Sequence, residues 1–444
     1  MKMGIAILSL LIETLFACNP QAINIQTGDV SVQQSLGIRG PLLITDIQVI
    51  DHNEFENKII INPPVELKFQ WDKSNLLIFP QISFNPNTSY TLSIPSSLKL
   101  TNSSDFSDQT NTISFTTHFP CLSYIGQADK SPEIMKICLD NSPEKTLTQT
   151  NGKVYDFNVS YDGNWIFYSI QNEKGGIDIW RIDLEGKNNQ VLIDCGSDHC
   201  SNSIGSVDGE EIAYLKSTYK NNSFGSSSEQ QIWILNLIDH VQRRIFSDKD
   251  IYTENLTWSP DGIHLSFYEE KSSSIWIWDR NTGNTEQIKT GANLGYSWND
   301  LGNEIVYGEL DQWGGLPFFN LLQWDNNTNS SNLLFNGEEQ LVEFNNPQWR
   351  PQMDWIATAI RPLSGSSSKQ IVLLSLNSSN QIIVTNAQKY TYSAFSWDPS
   401  GEDLLFQRYE LGTSSAQPEI GVWNINDRSE IILAENATLP KWIP

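Results

Sequence analysis

The chain has 444 residues, a formal net charge of −24 and an apolar content of 39%. This apolar content is enough for a packed core and excludes a wholly disordered chain, while the length predicts two domains. The acidic charge repels phosphate backbones and argues against a nucleic-acid partner. Long helical periodicities are missing, and short apolar runs between turn residues favour an all-β fold.

The N-terminus has the pattern of an export signal. Lys2 precedes an apolar run from Met3 to Ile12, which is too short to span a bilayer. Leu15-Phe16-Ala17-Cys18 follows and resembles the lipobox of bacterial lipoproteins. The resemblance implies a signal peptide over residues 1–17, lipidation of Cys18 and membrane attachment in the bacterial cell envelope, periplasmic or surface-exposed. A plain secretory signal and an uncleaved anchor are the alternatives.

Four cysteines remain beyond Cys18, namely Cys121, Cys138, Cys195 and Cys200. An even number in an exported chain predicts two disulfides. If Gly126 pairs with Glu133 across an antiparallel hairpin, Cys121 lies opposite Cys138 at a distance that a disulfide can bridge. Cys195 and Cys200 would then close one loop. A metal site that includes His199 is the weaker alternative, because one Cys pair beside one His lacks the spacing of zinc sites.

Residues 18–40 are polar and are predicted to form a flexible tether after the lipidated cysteine. Residues 41–118 contain short strand-like runs separated by turn residues, which predicts a small antiparallel sandwich. The segments 75–80, 84–92 and 113–117 resemble, in that order, landmarks of the bacterial Ig-like family of envelope proteins. This resemblance implies that residues 41–118 form an Ig-like spacer domain.

A repeated pattern fills residues 119–444. Its clearest copy is Leu256-Thr-Trp258-Ser-Pro-Asp261-Gly262, in which Asp-Gly marks a hairpin turn because Gly tolerates positive φ. The position of Trp258 recurs at intervals of 40 to 53 residues, at Val159, Gly205, Trp298, Trp349, Trp397 and Trp442. A period of this length with about four strands per copy predicts a β-propeller. The copies resemble the TolB-like family of periplasmic propellers, which implies the fold and a protein partner in the envelope.

The two ends of the repeat region determine the predicted number of blades. Residues 121–149 have no first strand before them, whereas residues 439–444 form a first strand with nothing after it. We therefore expect the last strand to complete the first blade, so that no long sheet edge stays free. This arrangement predicts seven blades, or six if the copy at Gly205 is degenerate.

The sequence lacks the motifs of the common enzyme classes. There is no nucleophile elbow, phosphate loop or dinucleotide fingerprint, and the five His residues show no metal-binding spacing. The regularly spaced Trp residues are interpreted as wedges between blades and not as a sugar platform. Trp313, Phe318 and Phe319, in a long loop, are the candidate contact residues.

These patterns predict a membrane-anchored protein-interaction scaffold. Its partner would be an envelope protein, with a glycan as a further option and no nucleic acid. We expect no catalytic residues, no cofactor and no metal, so the chain is predicted not to be an enzyme. The alternative is a propeller that acts on, or binds, envelope or extracellular polysaccharide.

Overall fold

The computed structural model describes twelve ranges of the chain: residues 30–44, 51–72, 75–95, 110–128, 131–218, 229–246, 250–253, 255–313, 316–363, 368–385, 388–413 and 416–444. Nearly all of the regular structure in these ranges is β-strand, with two short helices. This confirms the predicted all-β class. None of the helices in the described ranges has the length and hydropathy of a membrane-spanning segment. Cys18 and the signal segment lie outside the described residues.

The N-terminal part of the described chain is a two-sheet sandwich. Its elements are β1 (Val30–Leu36), β2 (Leu42–Ile44), α1 (His52–Glu56), β3 (Ile60–Asn62), β4 (Leu67–Asp72), β5 (Asn75–Pro80), β6 (Ser89–Pro95) and β7 (Thr110–Thr117). One sheet has the order β1-β7-β6-β3 and the other β2-β5-β4. Side chains from both sheets, such as Ile78, Tyr90 and Phe115, share one buried core. Whether this sandwich belongs to the Ig-like family stays a prediction.

The sandwich begins earlier than the sequence predicts. Residues 18–40 were assigned to a tether, but β1 pairs in parallel with β7, and Leu36 and Ile38 are buried in the sandwich core. The polar composition of this stretch is misleading because an edge strand is held by backbone hydrogen bonds, which do not depend on apolar side chains. Only residues 18–29 of the predicted tether lie outside the described ranges.

The remaining strands follow the chain in order. They are β8 (Cys121–Ala128), β9 (Ser131–Cys138), β10 (Lys145–Thr146), β11 (Val154–Val159), β12 (Trp165–Gln171), β13 (Ile177–Asp183), β14 (Gln190–Ile193), β15 (His199–Gly205), β16 (Glu211–Thr218), β17 (Glu229–Asn236), β18 (Gln242–Arg244), β19 (Leu256–Trp258), β20 (His264–Glu269), β21 (Ser274–Asp279) and β22 (Thr285–Lys289). They continue as β23 (Tyr296–Trp298), β24 (Glu304–Trp313), β25 (Leu316–Asp325), β26 (Ser330–Phe335), the helix α2 (Gly337–Gln340), β27 (Val342–Trp349), β28 (Trp355–Pro362), β29 (Gln370–Ser375), β30 (Gln381–Ile383), β31 (Tyr390–Trp397), β32 (Asp403–Glu410), β33 (Glu419–Asn424), β34 (Glu430–Glu435) and β35 (Thr438–Ile443).

Beyond β7, the described strands form consecutive four-stranded antiparallel groups, as expected for propeller blades. Blade 1 is β35-β8-β9-β10. Blades 2 to 7 are β11–β14, β15–β18, β19–β22, β23–β26, β27–β30 and β31–β34, and one parallel pair, Ile177 with His199, joins blades 2 and 3. The first strand of each blade is the innermost. The group that contains Gly205 is complete, and a Cβ on Gly205 would lie 2.8 Å from the Phe167 ring of blade 2. Phe167 thus occupies the space that Trp fills in other copies.

The first blade is completed by the end of the chain. Trp442 pairs with Leu122 and Ile443 pairs with Cys121, so β35 is the inner strand of blade 1. The hairpin of β8 and β9 has the predicted register, with Gly126 opposite Glu133 and Cys121 opposite Cys138. Cys121 and Cys138 are joined by a disulfide, as are Cys195 and Cys200. Both predicted pairings are confirmed.

The Ser-x-Asp-Gly turn between the first two strands of a blade is held by its own side chains. In blade 2 the Ser160 hydroxyl donates to Asp162 Oδ1 at 2.6 Å and accepts the Trp165 backbone N–H at 2.9 Å. Gly163 follows with φ of +71°, a conformation that disfavours side chains. Blades 3 and 4 repeat these bonds. In blade 7 the two residue types are exchanged: Asp398 stands at the position of the serine, Ser400 stands at the position of the aspartate, and the Ser400 hydroxyl donates to Asp398.

Two of these turn glycines provide a matched test of ring closure. A Cβ at Gly163 would overlap the carbonyl oxygen of Pro444, whereas a Cβ at Gly262 would lie no closer than 3.3 Å to Val207. Both positions have positive φ, which a residue with a Cβ disfavours. Gly262→Ala should therefore lower the free energy of unfolding by about 1 kcal/mol. Gly163→Ala should cost about 3 kcal/mol, because it also displaces the C-terminus. Chemical denaturation measures both values. Equal losses would show that Pro444 moves aside freely.

Candidate functional site

The propeller presents two faces of different character. Because successive strands are antiparallel, the turns between the first and second strands and between the third and fourth strands all emerge on one face. We call this the proximal face. Connections between the second and third strands, and between one blade and the next, emerge on the opposite, distal face.

The N-terminal sandwich rests on the proximal face. The Ser83 hydroxyl donates to the Pro399 carbonyl at 3.1 Å, in the β31–β32 turn. The Arg39 guanidinium lies 4.5 Å from the ring centre of Tyr161, in the β11–β12 turn. A Cβ on Gly37 would lie 3.2 Å from the Pro444 oxygen. These contacts involve blades 7, 2 and 1, and each of them lies on the proximal face.

The candidate contact residues lie at the distal face. Strands β24 and β25 have ten residues each and form the longest hairpin of the described propeller. Asp311 pairs with Phe318, and Leu310 with Phe319, near its outer end. Phe318 and Phe319 are half-buried. The side chain of Trp313 lies outside the described residues, as do residues 219–228 and 364–367 of the long insertions. The β24–β25 connection lies on the distal face.

Helix α2 fixes the base of this hairpin. Gly337 donates its backbone N–H to Asn320 Oδ1 at 3.2 Å, and a Cβ on Gly337 would overlap the Phe319 carbonyl oxygen. The Asn336 side chain caps the helix by accepting the Glu338 N–H at 2.9 Å. The close approach of α2 therefore holds β25 in place beside Phe319.

The inner strands carry a regular backbone feature that sequence reasoning missed. Three residues before the repeat position, the backbone has positive φ at Asn202 (51°), Gly295 (81°), Asn346 (48°), Ala394 (45°) and Leu439 (54°). Four of these residues coincide with interruptions of the ladder between the first two strands. Such bulges bend the innermost strand along the channel. The Asn and Gly members could have been found by aligning the copies, whereas Ala394 and Leu439 carry no sequence signal for positive φ.

Two charged side chains lie on inner strands of adjacent blades. Asp156 accepts the Asn202 backbone N–H at 2.9 Å and the Ser169 hydroxyl at 2.7 Å, which ties blade 2 to the bulge of blade 3. Burial raises the pKa of Asp156, partly offset by these bonds and by Lys441. Desolvation lowers the pKa of Lys441, on β35, and the attraction of Asp156 acts in the opposite direction.

Four of the five regularly spaced Trp residues are buried, in agreement with the interpretation that they pack between blades. Trp258, Trp298, Trp397 and Trp442 are each at most 8% exposed. The Trp298 indole donates to the Ser266 hydroxyl of blade 4 at 2.9 Å, and the Trp442 indole donates to the Ser396 carbonyl of blade 7 at 3.1 Å. These side chains therefore join neighbouring blades and offer little surface for a sugar.

Across the described ranges, no group of three or more His, Cys, Asp or Glu side chains is placed to hold a metal ion. The two cysteines near His199 are joined to each other in a disulfide. Their sulfur atoms are therefore not thiolate ligands, which removes the basis of the alternative metal site.

No family model matches the chain, and no curated protein matches it. Among solved structures, TolB from Acinetobacter baumannii has a TM-score of 0.44 and 14% identity, covering 73% of this chain and 67% of that chain. An oligogalacturonate lyase from Vibrio parahaemolyticus has a TM-score of 0.44 and 13% identity, covering 64% of this chain and 73% of that chain. A puromycin-hydrolysing peptidase from Mycobacterium tuberculosis has a TM-score of 0.52 and 12% identity, covering 93% of this chain and 57% of that chain.

These comparisons correct one prediction. The chain was predicted not to be an enzyme, but its fold is similar to that of the puromycin-hydrolysing peptidase over 93% of this chain. The absence of familiar motifs was a poor guide because one fold can host many unrelated functions. At such low identity the similarity concerns the fold alone.

A carboxylate on the proximal face makes stability depend on pH. Asp403, at the start of β32, accepts the Asn424 amide at 2.7 Å, and burial together with Asp398 and Glu402 raises the pKa of Asp403 to about 6. The usual value is near 4, so the folded chain binds an extra proton between about pH 4 and pH 6, and the ionised carboxylate opposes folding at higher pH.

We expect Asp403→Asn to stabilise the protein by about 1 kcal/mol at pH 7.5, after allowance for solvent screening, and to have no effect at pH 4. Thermal unfolding at the two pH values measures the difference. The matched control is Asp354→Asn, since Asp354 accepts the Asn377 amide in the same way but is exposed. If both variants gain similar stability at pH 7.5, the burial of the ionised Asp403 carboxylate is not the cause.

Proposed function

We propose that this chain is an exported, lipid-anchored envelope protein whose propeller binds a protein partner through the distal face. The observation that carries the proposal is the position of the N-terminal sandwich on the proximal face. A chain anchored at its N-terminus through this sandwich presents its distal loops away from the anchor.

The composition of the distal face supports a docking role. The long β24–β25 hairpin adds Trp313, Phe318 and Phe319, and aromatic side chains are the most frequent anchors of protein interfaces. Loops held by a rigid scaffold are common positions for binding residues. The two disulfides fit an oxidising compartment such as the periplasm or cell surface. TolB-like propellers provide the general precedent for interaction through this fold.

The test is recovery of the partner from native membranes after mild detergent extraction. The wild-type chain should co-purify with one protein in stoichiometric amount. With the triple variant Trp313→Ala, Phe318→Ala, Phe319→Ala, the amount of partner recovered should fall at least about tenfold. Truncating even one interface anchor typically costs more than about 1 kcal/mol of binding free energy.

A matched control uses exposed apolar residues of the proximal face. Ile238, Val241 and Ile263 are 52%, 56% and 37% exposed. Their triple substitution by alanine should leave partner recovery unchanged. Loss of the partner with this control, but not with the aromatic variant, would reject the distal face as the docking surface.

A further inference from the structure

A second candidate site lies where the N-terminal sandwich meets the propeller. A cleft of about 1190 Å³ opens there, which we call the junction cleft. Its basic and aromatic lining comes from His118 and Phe119 after β7, Lys136 of β9, Trp165 of β12 and Arg181 of β13, and its acidic lining from Asp140, Asp183 and Glu185. Pockets of this size hold ligands of several sugar units.

Two basic side chains in the junction cleft, Lys136 and His118, lack an acidic partner within the described ranges. Lys136 is half-buried, and among the described residues no carboxylate lies within ion-pair distance of its ammonium group. Burial lowers the pKa of Lys136, Lys145 lowers it further, and Glu185 and Asp140 act in the opposite direction. Burial also lowers the pKa of His118, and Lys136 adds to this effect. Both groups would gain from an anion placed between them.

The carboxylates around the junction cleft already have other partners. Asp183 accepts the Glu185 and Lys187 N–H groups at 2.9 and 2.7 Å and the Asn188 amide at 2.7 Å. Glu185 pairs with Lys145 at 2.6 Å. Asp140 accepts the Ser142 N–H at 2.9 Å. Glu185 and Asp140 therefore offset the charge of Lys136 only in part, and the three carboxylates together disfavour a dianion. The cleft is therefore suited to a ligand with a single negative charge at this point.

The rest of the lining suits a sugar. Phe119 is 40% exposed. The Arg181 guanidinium lies 4.4 Å from the Trp165 ring centre and forms a flat wall with it. Asn189, which accepts the Tyr168 hydroxyl at 2.7 Å, keeps its amide N–H groups for further bonds at the rim. Aromatic surface beside amides offers both stacking and hydrogen bonds to a ring that bears hydroxyl groups.

We propose that the junction cleft binds an acidic saccharide, with a sugar carboxylate at Lys136 and His118 and the sugar ring against Phe119. A neutral sugar leaves the charge of Lys136 uncompensated, and a phosphate dianion meets the three carboxylates that line the cleft. This site is separate from the distal face, so it does not depend on the partner proposed above.

The test measures the NMR titration of the His118 ring, assigned with His118→Gln, in the whole exported chain. A hyaluronan tetrasaccharide, which carries glucuronate carboxylates, should raise the pKa of His118 by about one unit. Maltotetraose and inorganic phosphate should leave it unchanged. Lys136→Met should weaken tetrasaccharide binding at least about tenfold, whereas Lys136→Arg should retain it.

The matched control is Lys174→Met, because Lys174 is an exposed lysine of the distal face that pairs with Asp194. It should bind the tetrasaccharide as the wild type does. The proposal is overturned if the tetrasaccharide has no effect on His118, if maltotetraose binds equally well, or if phosphate alone reproduces the shift. None of these outcomes affects partner recovery through the distal face, so the two proposals fail separately.

Discussion

Deletion of residues 437–444 should abolish the native propeller. These residues contain β35, which supplies the inner strand of blade 1, and without it the inner edge of β8 is unpaired. The deletion removes Trp442 from a cluster that includes Leu122 and Tyr124, both nearly inaccessible in the intact chain. Loss of one buried Trp side chain costs about 3–5 kcal/mol, and the lost strand pairing adds to it. This total approaches the whole stability of a typical domain.

The expected result is an aggregated or poorly folded product, with a melting temperature at least about 10 °C lower in any soluble fraction. Size-exclusion chromatography and thermal unfolding measure both effects. An exposed strand edge promotes association between chains, so aggregation should grow with protein concentration.

A deletion of similar size on the distal face is the control. Removing residues 312–317 shortens the β24–β25 hairpin but leaves every blade with four strands. This variant should elute as a monomer and unfold near the wild-type temperature. If the C-terminal deletion behaves as this control does, the last strand does not hold the ring together.

Trp442→Phe separates packing from strand pairing. Phenylalanine keeps most of the apolar volume but loses the indole bond to the Ser396 carbonyl. We expect a loss of about 1 kcal/mol, far below the effect of the deletion. If Trp442→Phe lowers the free energy of unfolding as much as the deletion does, the effect of the deletion comes from this one side chain and not from the pairing of the closing strand.

The propeller was predictable because its signals are local and repeated. Ser160, Asp162 and Gly163 make their turn within five residues, and equivalent residues recur in other blades. The register of the β8–β9 hairpin follows from one short loop, and this is why the Cys121–Cys138 pairing could be derived. Ring closure followed from counting strands at the two ends of the repeat.

Features that depend on distant contacts were not predictable. The Ser83 hydroxyl and the Pro399 carbonyl are 316 residues apart in sequence, and neither belongs to a motif for domain contact. The junction cleft lies between the sandwich and the propeller, where this contact and the Arg39–Tyr161 contact also join the two parts of the chain. Strand β1 was missed for a related reason, since its partner β7 lies about eighty residues further along the chain.

The candidate contact site was only partly predictable. The sequence marks Phe318 and Phe319 as irregular aromatics in a long connection, but strand direction is needed to place them on the face opposite the sandwich. Because the sandwich and these residues lie on opposite faces, the predicted lipid anchor would fix the orientation of the propeller. An anchor at Cys18 would direct the proximal face towards the membrane and the distal face away from it.

Cys18→Ser should release the protein from membranes almost completely. Lipidation of the cysteine sulfur supplies the buried acyl chains that hold a lipoprotein on the bilayer, and serine cannot carry the same attachment. The wild-type chain should sediment with membranes, resist high salt and dissolve in detergent, whereas the variant should stay in the soluble fraction. Mass spectrometry of the wild-type chain should show an acylated N-terminal cysteine and no residues 1–17.

Each alternative for the N-terminus gives a different outcome of this experiment. A variant that stays on membranes, with residues 1–17 still present, indicates an uncleaved apolar anchor. A wild-type chain that is soluble and lacks acyl groups indicates a plain secretory signal. In the first case the distal face still points away from the membrane, because the sandwich still links the anchor to the proximal face. In the second case a soluble chain has no fixed orientation, and partner recovery must then be tested without membrane extraction.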